Sequence, residues 1–419
     1  MKKEIKERIE AVCRGEVPEG YCKVHPYVIP NSWKVVKLGN ITKRTSRSNK
    51  DGQDRPAYSI NNRKGFVPQS EQFEEGSYED LDKSAYKIVR KGEFAYNPAR
   101  VNVGSIGRLR DAEEVAVSSL YVCISVDDKV DGEYFDAWTK SRDFYKETVR
   151  NTEGSVREYL FYENFANMRM PVPTFAEQQK IAEILATCDR VIELKQQLLE
   201  EKHRQKKWLM QKLLDPNSGV RLPGFEEQHW VDVLLEDECY MFSGGTPKAG
   251  KDEYYADGTV PFIRSGEISG TSTELFLTEL GYENCSAKMV EIGDILYALY
   301  GANSGDCAIS KMNGAINQAI LCIRPKKLDR ELLYHVLCML KGKIVATYLQ
   351  GGQGNLSAEI IKKLVVSVPA DSKYQQAIVG RLAIADKEID LYENELTAWK
   401  QKKKALMQLL LTGHVRVNA

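Results

Sequence analysis

An internal repeat constrains the fold of this chain more than any other feature. Gln178-Gln179-Lys180-Ile181-Ala182 returns as Gln375-Gln376-Ala377-Ile378-Val379. Leu209-Met210-Gln211-Lys212-Leu213-Leu214 returns as Leu406-Met407-Gln408-Leu409-Leu410-Leu411, again displaced by 197 residues. The same displacement carries Trp33 to Trp230 and Leu38 to Leu235. Between these anchors the match drifts: Ile88-Val89-Arg90-Lys91-Gly92-Glu93 corresponds to Met289-Val290-Glu291-Ile292-Gly293-Asp294 at a displacement of 201. Two copies are too few for a solenoid, which stacks three or more. The repeat predicts two large halves of common plan, each a variable globular part followed by a well-matched helix.

The helices carry a regular apolar seam. In the second copy Ile378, Leu382, Ala385, Ile389, Tyr392, Leu396, Trp399, Lys403, Leu406 and Leu410 alternate steps of four and three, the period of a coiled coil. The first copy reads Ile181, Leu185, Cys188, Ile192, Lys195, Leu199, Lys202, Lys206, Leu209 and Leu213. Lys206 and Lys403 fall at the same place in both. Two amphipathic helices buried in separate cores would also be apolar on one face, but the unbroken heptad fits better with the two helices packing on each other. Pro173 and Pro369 stand just before the helices, and Asp215-Pro216 and Gly413 close them.

The remaining sequence reads as two α+β domains. Val115–Val126 and Ala319–Pro325 are β-rich runs bounded by turn residues, followed by helical stretches near Tyr134–Arg150 and Asp329–Leu349. The expected boundaries are an N-terminal helical extension at 1–26, whose first 14 residues have no repeat partner, and a globular domain at 27–172. A central spacer helix at 173–214, a linker at 215–226 and a second globular domain at 227–368 follow. A C-terminal spacer helix at 369–412 and a tail at 413–419 complete the chain. It has no run of 18 apolar residues to cross a membrane, and its N-terminus is too charged for a signal peptide. Nine scattered cysteines without a C-x-x-C pair suggest reduced thiols and a cytoplasmic protein.

No catalytic motif is complete in this sequence. Gly245–Asp252 nearly matches a phosphate-binding loop but ends in Asp252, which would repel phosphate and lacks the metal-binding hydroxyl. Tyr96-Asn97-Pro98-Ala99 lacks the second proline and aromatic clamp of an adenine methyltransferase. Gly352-Gln353-Gly354 is half a dinucleotide fingerprint. His25, His203, His229, His335 and His414 show no metal spacing. The expectation is no catalytic residue, no metal and no cofactor.

Charge points elsewhere. Lys plus Arg equal Asp plus Glu at 59 each, so a uniformly basic coat is excluded and any nucleic-acid surface must be a local patch. Residues 31–70 hold nine basic residues against two acids, Asp51 and Asp54. Within this segment Lys43, Arg44, Arg47, Arg63 and Lys64 are candidate DNA contacts. Arg100, Arg108 and Arg110 form a second group, and Thr246, Lys248, Arg264 and Ser265 are the candidates in the second half. A solvated charged face is the alternative.

Taken together, these residues resemble the DNA-specificity subunit of type I restriction–modification systems. Phe242-Ser243-Gly244-Gly245-Thr246-Pro247-Lys248 followed by Val260-Pro261-Phe262-Ile263-Arg264-Ser265-Gly266-Glu267-Ile268 is similar to the opening of a target-recognition domain. Gly293-Asp294-Ile295-Leu296 and Asn317-Gln318-Ala319-Ile320 resemble its later blocks. Pro171-Val172-Pro173 before Glu177-Gln178-Gln179-Lys180-Ile181 resembles the start of its spacer helix. The first half lacks the Gly-Gly-Thr-Pro block, and Tyr374-Gln375-Gln376 stands where Glu-Gln is usual.

The resemblance implies a non-catalytic subunit: two target-recognition domains of common plan, separated by two long helices forming an antiparallel, pseudo-twofold coiled coil. Each domain would read half of an asymmetric bipartite site in double-stranded DNA. Two modification (methyltransferase) subunits would dock on this scaffold, and restriction (translocase and nuclease) subunits would join them. From Ile181 to Leu213 the helix would span roughly 50 Å at about 1.5 Å per residue. That is somewhat more than a DNA turn of about 34–36 Å. The recognition part of a stand-alone methyltransferase or nuclease, and a coiled-coil adaptor without DNA, are the competing readings.

Overall fold

The computed structural model describes residues 3–50, 53–72, 83–153, 159–248, 250–348 and 355–418. The chain divides into two units. Unit 1 comprises residues 1–195 and 395–419, and unit 2 comprises residues 196–394. Each unit holds a globular part and its own stretch of both long helices, which run from Phe175–Leu213 and Ser372–Leu411.

In unit 1 two four-stranded sheets carry the globular part. One has the order Gly65–Pro68, Ala57–Asn61, Glu114–Val117, Lys87–Arg90. The other runs Thr42–Thr45, Val122–Val126, Phe94–Tyr96, Ile106–Arg108. Pairing is antiparallel except between Ala57–Asn61 and Glu114–Val117. The run Val115–Val126, expected as one β segment, is therefore two strands in different sheets. A turn at Ser118–Tyr121 separates them, closed by a bond from the Tyr121 amide to the Ser118 carbonyl. The expected helix near Tyr134–Arg150 is likewise two, Gly132–Thr139 and Arg142–Asn151. Asp131 caps the first and the Ser141 hydroxyl the second, and each such cap satisfies amides that open a new helix.

The core of unit 1 is aromatic. Phe94, Phe135 and Trp138 are fully buried and Phe144 nearly so. Phe94 meets Phe135 edge-on at 5.0 Å, and Trp138 meets Phe144 edge-on at 5.3 Å. Burying such side chains contributes on the order of 2–3 kcal/mol each. Ile181 and Leu185 from the first long helix, and Leu410 and Leu411 from the second, join the same core.

Unit 2 repeats this plan strand for strand. Cys239–Ser243, Ile320–Pro325, Ile295–Ala298 and Cys307–Ile309 form one sheet. Phe276–Leu277, Val260–Ile263, Gly314–Ile316 and Lys288–Val290 form the other. The single parallel pairing recurs at the matching place, Val260–Ile263 with Gly314–Ile316. In both units a two-stranded ribbon leads into the long helix: Lys34–Lys37 with Arg169–Val172, and Trp230–Leu234 with Val365–Pro369. The Gln178 amide donates to the Pro173 carbonyl at 3.1 Å, and the matching Gln375 amide to the Pro369 carbonyl at 2.7 Å. Both bonds anchor the helix start to the ribbon's end.

The helices pack antiparallel within each unit. In unit 1 Lys403 pairs with Asp189, and Lys195 with Glu395 at 2.6 Å. In unit 2 Lys202 meets Glu388 at 2.8 Å and Lys206 pairs with Asp386. Asp189 and Asp386 are repeat equivalents, so Lys403 and Lys206, which hold the same place in the two seams, find equivalent acids. Ile378 and Leu382 from the start of the second helix, with Leu213 from the end of the first, meet in the core of unit 2. Ile389 and Leu396 are buried, while Ile192, Leu199, Leu209, Trp399 and Leu406 are partly so.

Around the two equivalent tryptophans the units differ. The Trp33 indole donates to Glu177 at 3.0 Å, and Arg416 completes the cluster at 2.7 Å from the same carboxylate. In unit 2 Tyr374 replaces Glu177. It stacks on Phe225 at 4.9 Å, and Arg221 lies over the Trp230 ring at 5.5 Å. The N-terminal helix Lys3–Cys13 buries no residue. Its Arg8 donates to the His414 carbonyl at 2.7 Å, and Tyr21 donates to the Gly413 carbonyl at 2.6 Å.

Candidate nucleic-acid interface

Two connections in each unit meet at one edge of the globular part. In unit 1 these are Asn61–Lys64, leaving the parallel strand, and Asn97–Ser105, which contains the short 3-10 turn Val101–Val103. The Asn61 carboxamide oxygen accepts from the amides of Arg63 at 2.9 Å and Lys64 at 3.2 Å, so a local turn fixes where both basic residues leave the backbone. Gly104 adopts a left-handed φ of 95°, and a Cβ there would lie 2.9 Å from the Asn62 carbonyl. Glycine is what lets the two connections touch.

Two clefts flank this junction, and Asn62 and Arg63 line both. One, of about 350 Å³, is bordered by Lys64, Arg108, Arg110, Lys140 and Tyr145. The other, of about 250 Å³, is bordered by Asn61, Gln72, Asn97, Arg100 and Tyr121.

The candidate cations separate by their partners. Arg47 is held by Glu93, and Arg108 by Glu133. Arg110 reaches Asp136 at 2.8 Å and also pairs with Glu133. Burial pushes the Asp136 carboxyl up, but Lys140 and Arg110 outweigh it and hold it below the usual range. Arg44 lies 3.7 Å from Glu163 at the surface. Lys43, Arg63, Lys64 and Arg100 are exposed and have no carboxylate partner among the described residues.

In unit 2 the equivalent connections follow Ile263 and Ala298 and bring Gly266 to Asn303. Gly244 and Gly245 pass so close to the sheet that a Cβ on Gly244 would sit 1.8 Å from the Ile316 carbonyl. This close approach sets Thr246 beside Gln318, whose carboxamide oxygen accepts from the threonine hydroxyl at 2.7 Å. In unit 1 the equivalent Arg47-Ser48 also runs beside the edge strand, with Ser48 bridged to Lys87. Lys248 is exposed without a carboxylate partner among the described residues, and Ser265 is half-buried. Arg264 is clamped by Glu267 at 2.9 Å and Glu274 at 2.7 Å. The Arg264 guanidinium draws the Glu267 carboxyl down to about 2.

Sequence reading missed Asn62, Asn97, Gln72, Lys140 and Gln318 as neighbours of the basic residues. The Asn61-Asn62-Arg63-Lys64-Gly65 run is a turn signature that could have placed the first of them. Tyr96 is fully buried in the core, away from any base-clamping position. Ala249 of the near-phosphate loop and the Gly352-Gln353-Gly354 fingerprint lie outside the described residues. No group of three or more metal-binding side chains occurs among the described residues. No helix among them is long and apolar enough to cross a membrane.

The type I restriction modification DNA specificity domain matches this chain twice, at residues 30–202 and 227–399. The type I restriction enzyme MjaVIII specificity subunit of Methanocaldococcus jannaschii is 23% identical, with 95% of this chain and 96% of that protein covered. The fold is similar to a chain from a structure of the type I R-M system in complex assembly and conformational transition. That match has a TM-score of 0.63 and 16% identity, and covers 93% of this chain and 100% of that one. The type I restriction–modification S subunit from M. genitalium matches with a TM-score of 0.55 and 14% identity, over 93% and 97% of the two chains. The chain belongs to the type I restriction–modification specificity-subunit family. It carries two recognition domains and is a non-catalytic, DNA-specificity component of such a system.

Proposed function

We propose that this chain reads an asymmetric, bipartite site in double-stranded DNA, one half-site with each unit. The length of the two long helices would set the gap between half-sites. The observation that carries this reading is one scaffold built twice with different side chains on it. Unit 1 presents amides and uncommitted cations, whereas unit 2 presents a Thr246–Gln318 pair and a neutralised Arg264. Lys43, Arg63, Lys64, Arg100 and Lys248 are the phosphate or base contacts, because a cation already held by carboxylates gains little from DNA. Arg47, Arg108, Arg110 and Arg264 serve instead to order the edge.

The chain also acts as scaffold for two modification subunits, with restriction subunits joining the assembly. Leu194 in unit 1 and its repeat equivalent Leu391 in unit 2 are 55% and 57% exposed on the long helices. Large apolar side chains at equivalent exposed places suit one docked subunit each. The test is salt-dependent DNA binding by the chain with and without modification subunits, together with methylome sequencing of cells carrying both. A steep salt dependence and one methylated bipartite motif are expected. A complex that binds DNA without sequence preference would overturn the reading.

A further inference from the structure

Resting on that reading, we infer that Asn62 and Arg100 are the base-reading side chains of unit 1. The carboxamide is suited to adenine and the guanidinium to guanine, while Arg63 and Lys64 beside them hold phosphates.

The backbone that carries both residues is fixed. The buried Ser105 hydroxyl donates to the Ile60 carbonyl at 2.8 Å, and the Ile60 amide donates to the Tyr121 hydroxyl at 3.3 Å. With the Gly104 contact, these bonds tie together the two backbone segments that carry Asn62 and Arg100. A reading group must project from such a pinned support, because base discrimination fails when the group can drift.

Several neighbouring polar side chains are already committed. Asn61 commits its carboxamide oxygen to the turn, and Asn97 commits its own to the Ala99 amide at 3.0 Å. Arg47, Arg108 and Arg110 are held by acids. Asn62 and Arg100 are exposed, and their side chains have no polar partner among the described residues. Both border the same cleft of about 250 Å³. An asparagine carboxamide matches the donor–acceptor pair on adenine's major-groove edge, and arginine matches the two acceptors of guanine.

The two units differ at this place. Arg100 immediately precedes the 3-10 turn of unit 1, and Tyr300 holds that place in unit 2. A tyrosine cannot make arginine's bidentate contact, so equivalent places in the two units would demand different bases.

The experiment uses the whole chain with its modification subunits in cells, read by methylome sequencing. Asn62→Ala and Arg100→Ala should each relax one or two positions of a single half-site. The other half-site and the gap should stay unchanged. Against duplexes altered at those positions, the purified variant complexes should lose about 5- to 150-fold of discrimination. Arg63→Ala with Lys64→Ala should weaken binding to all duplexes alike and relax no position. Where a variant leaves too little methylation to score, the binding series decides: selective loss supports the assignment, and uniform loss overturns it. An unchanged motif in both reader variants also overturns it. A wild-type complex that methylates no bipartite motif would instead sink the underlying reading, so the two failures are distinguishable.

Discussion

Lengthening both long helices by one heptad should widen the gap between half-sites and leave the half-sites themselves alone. The ion pairs fix where the insertions belong. Lys195 with Glu395 lies on one side and Lys202 with Glu388 on the other. Inserting seven residues after Lys195 and seven after Asn394 keeps every one of these pairs on its own side. Seven residues preserve the 3.5-residue seam, provided the inserted heptads carry apolar residues at their two seam positions. At about 1.5 Å per residue the rod grows by roughly 10 Å, on the order of three base pairs at about 3.4 Å each. Three base pairs also rotate one target by about a third of a turn. Bending and twisting of the duplex absorb part of that change, so a gain of about two to four base pairs is expected. Methylome sequencing of cells carrying the wild-type or lengthened chain with its modification subunits reads the gap directly. A four-residue insertion in both helices, which breaks the seam, should abolish methylation. If the heptad variant methylates the original motif with its original gap, or changes the bases of either half-site, the helices are not the spacer.

Four further outcomes follow from named contacts. Replacing Lys43, Arg63 and Lys64 together by alanine should flatten the slope of log affinity against log salt by about 2.7, at about 0.9 per phosphate contact; Arg47→Ala should instead lower thermal stability, because it takes the ion-pair partner from a Glu93 that keeps the Arg90 amide. Gly244→Ala forces a Cβ to 1.8 Å from the Ile316 carbonyl and should erode the half-site read by unit 2 alone, as seen in the methylated motif. His335 is held neutral, lowered to about 4 by burial first and by Lys206 next, against the opposing pull of Asp386, Glu331 and Asp329. Its folded value lies below the unfolded one, so its contribution is complete above about pH 6.5. It is lost as pH falls toward 4, by up to about 1.4 kcal/mol per pH unit; calorimetry should show a flatter pH profile for His335→Phe. Finally, separately made halves 1–214 and 215–419 should prefer each other to themselves. In a dimer of the first half, Lys195 and Lys202 would face Leu198 and Val191, the repeat equivalents of Glu395 and Glu388, and predominance of self-dimers by native mass spectrometry would refute this.

How much the sequence reveals depends on how each part is held. The long helices are legible because a seam of period 3.5 must be written in residue types, and because Gln178 and Gln375 do one job in both copies. The two four-stranded sheets and the ribbon recur pairing for pairing in both globular parts, yet their sequences match poorly. A sheet core asks only for apolar residues of suitable volume, so the displacement drifts between 197 and 201. The Val115–Val126 run hides its turn because both strands are buried and no glycine or proline marks the break. The candidate interface is legible as charge but not as partners. Arg47 meets Glu93, Arg108 meets Glu133 and Arg110 meets Asp136 across 46, 25 and 26 residues. Distances of that kind along the chain belong to tertiary structure, and a count of basic residues cannot subtract them.

The joining of residues 395–419 to unit 1 has a consequence for synthesis. Unit 2 is one continuous stretch, so a ribosome delivers all of it in order. Unit 1 waits: Leu410 and Leu411 fill its core, and Arg416 completes the Trp33–Glu177 cluster. These residues emerge only after the whole of unit 2 has been made. Translation at about 5–20 residues per second leaves the first domain open for on the order of 10–40 seconds after its own residues are out. The domain made first is thus the domain finished last, and a message cut short before Glu395 yields a chain with a closable second unit and a first unit that lacks part of its core.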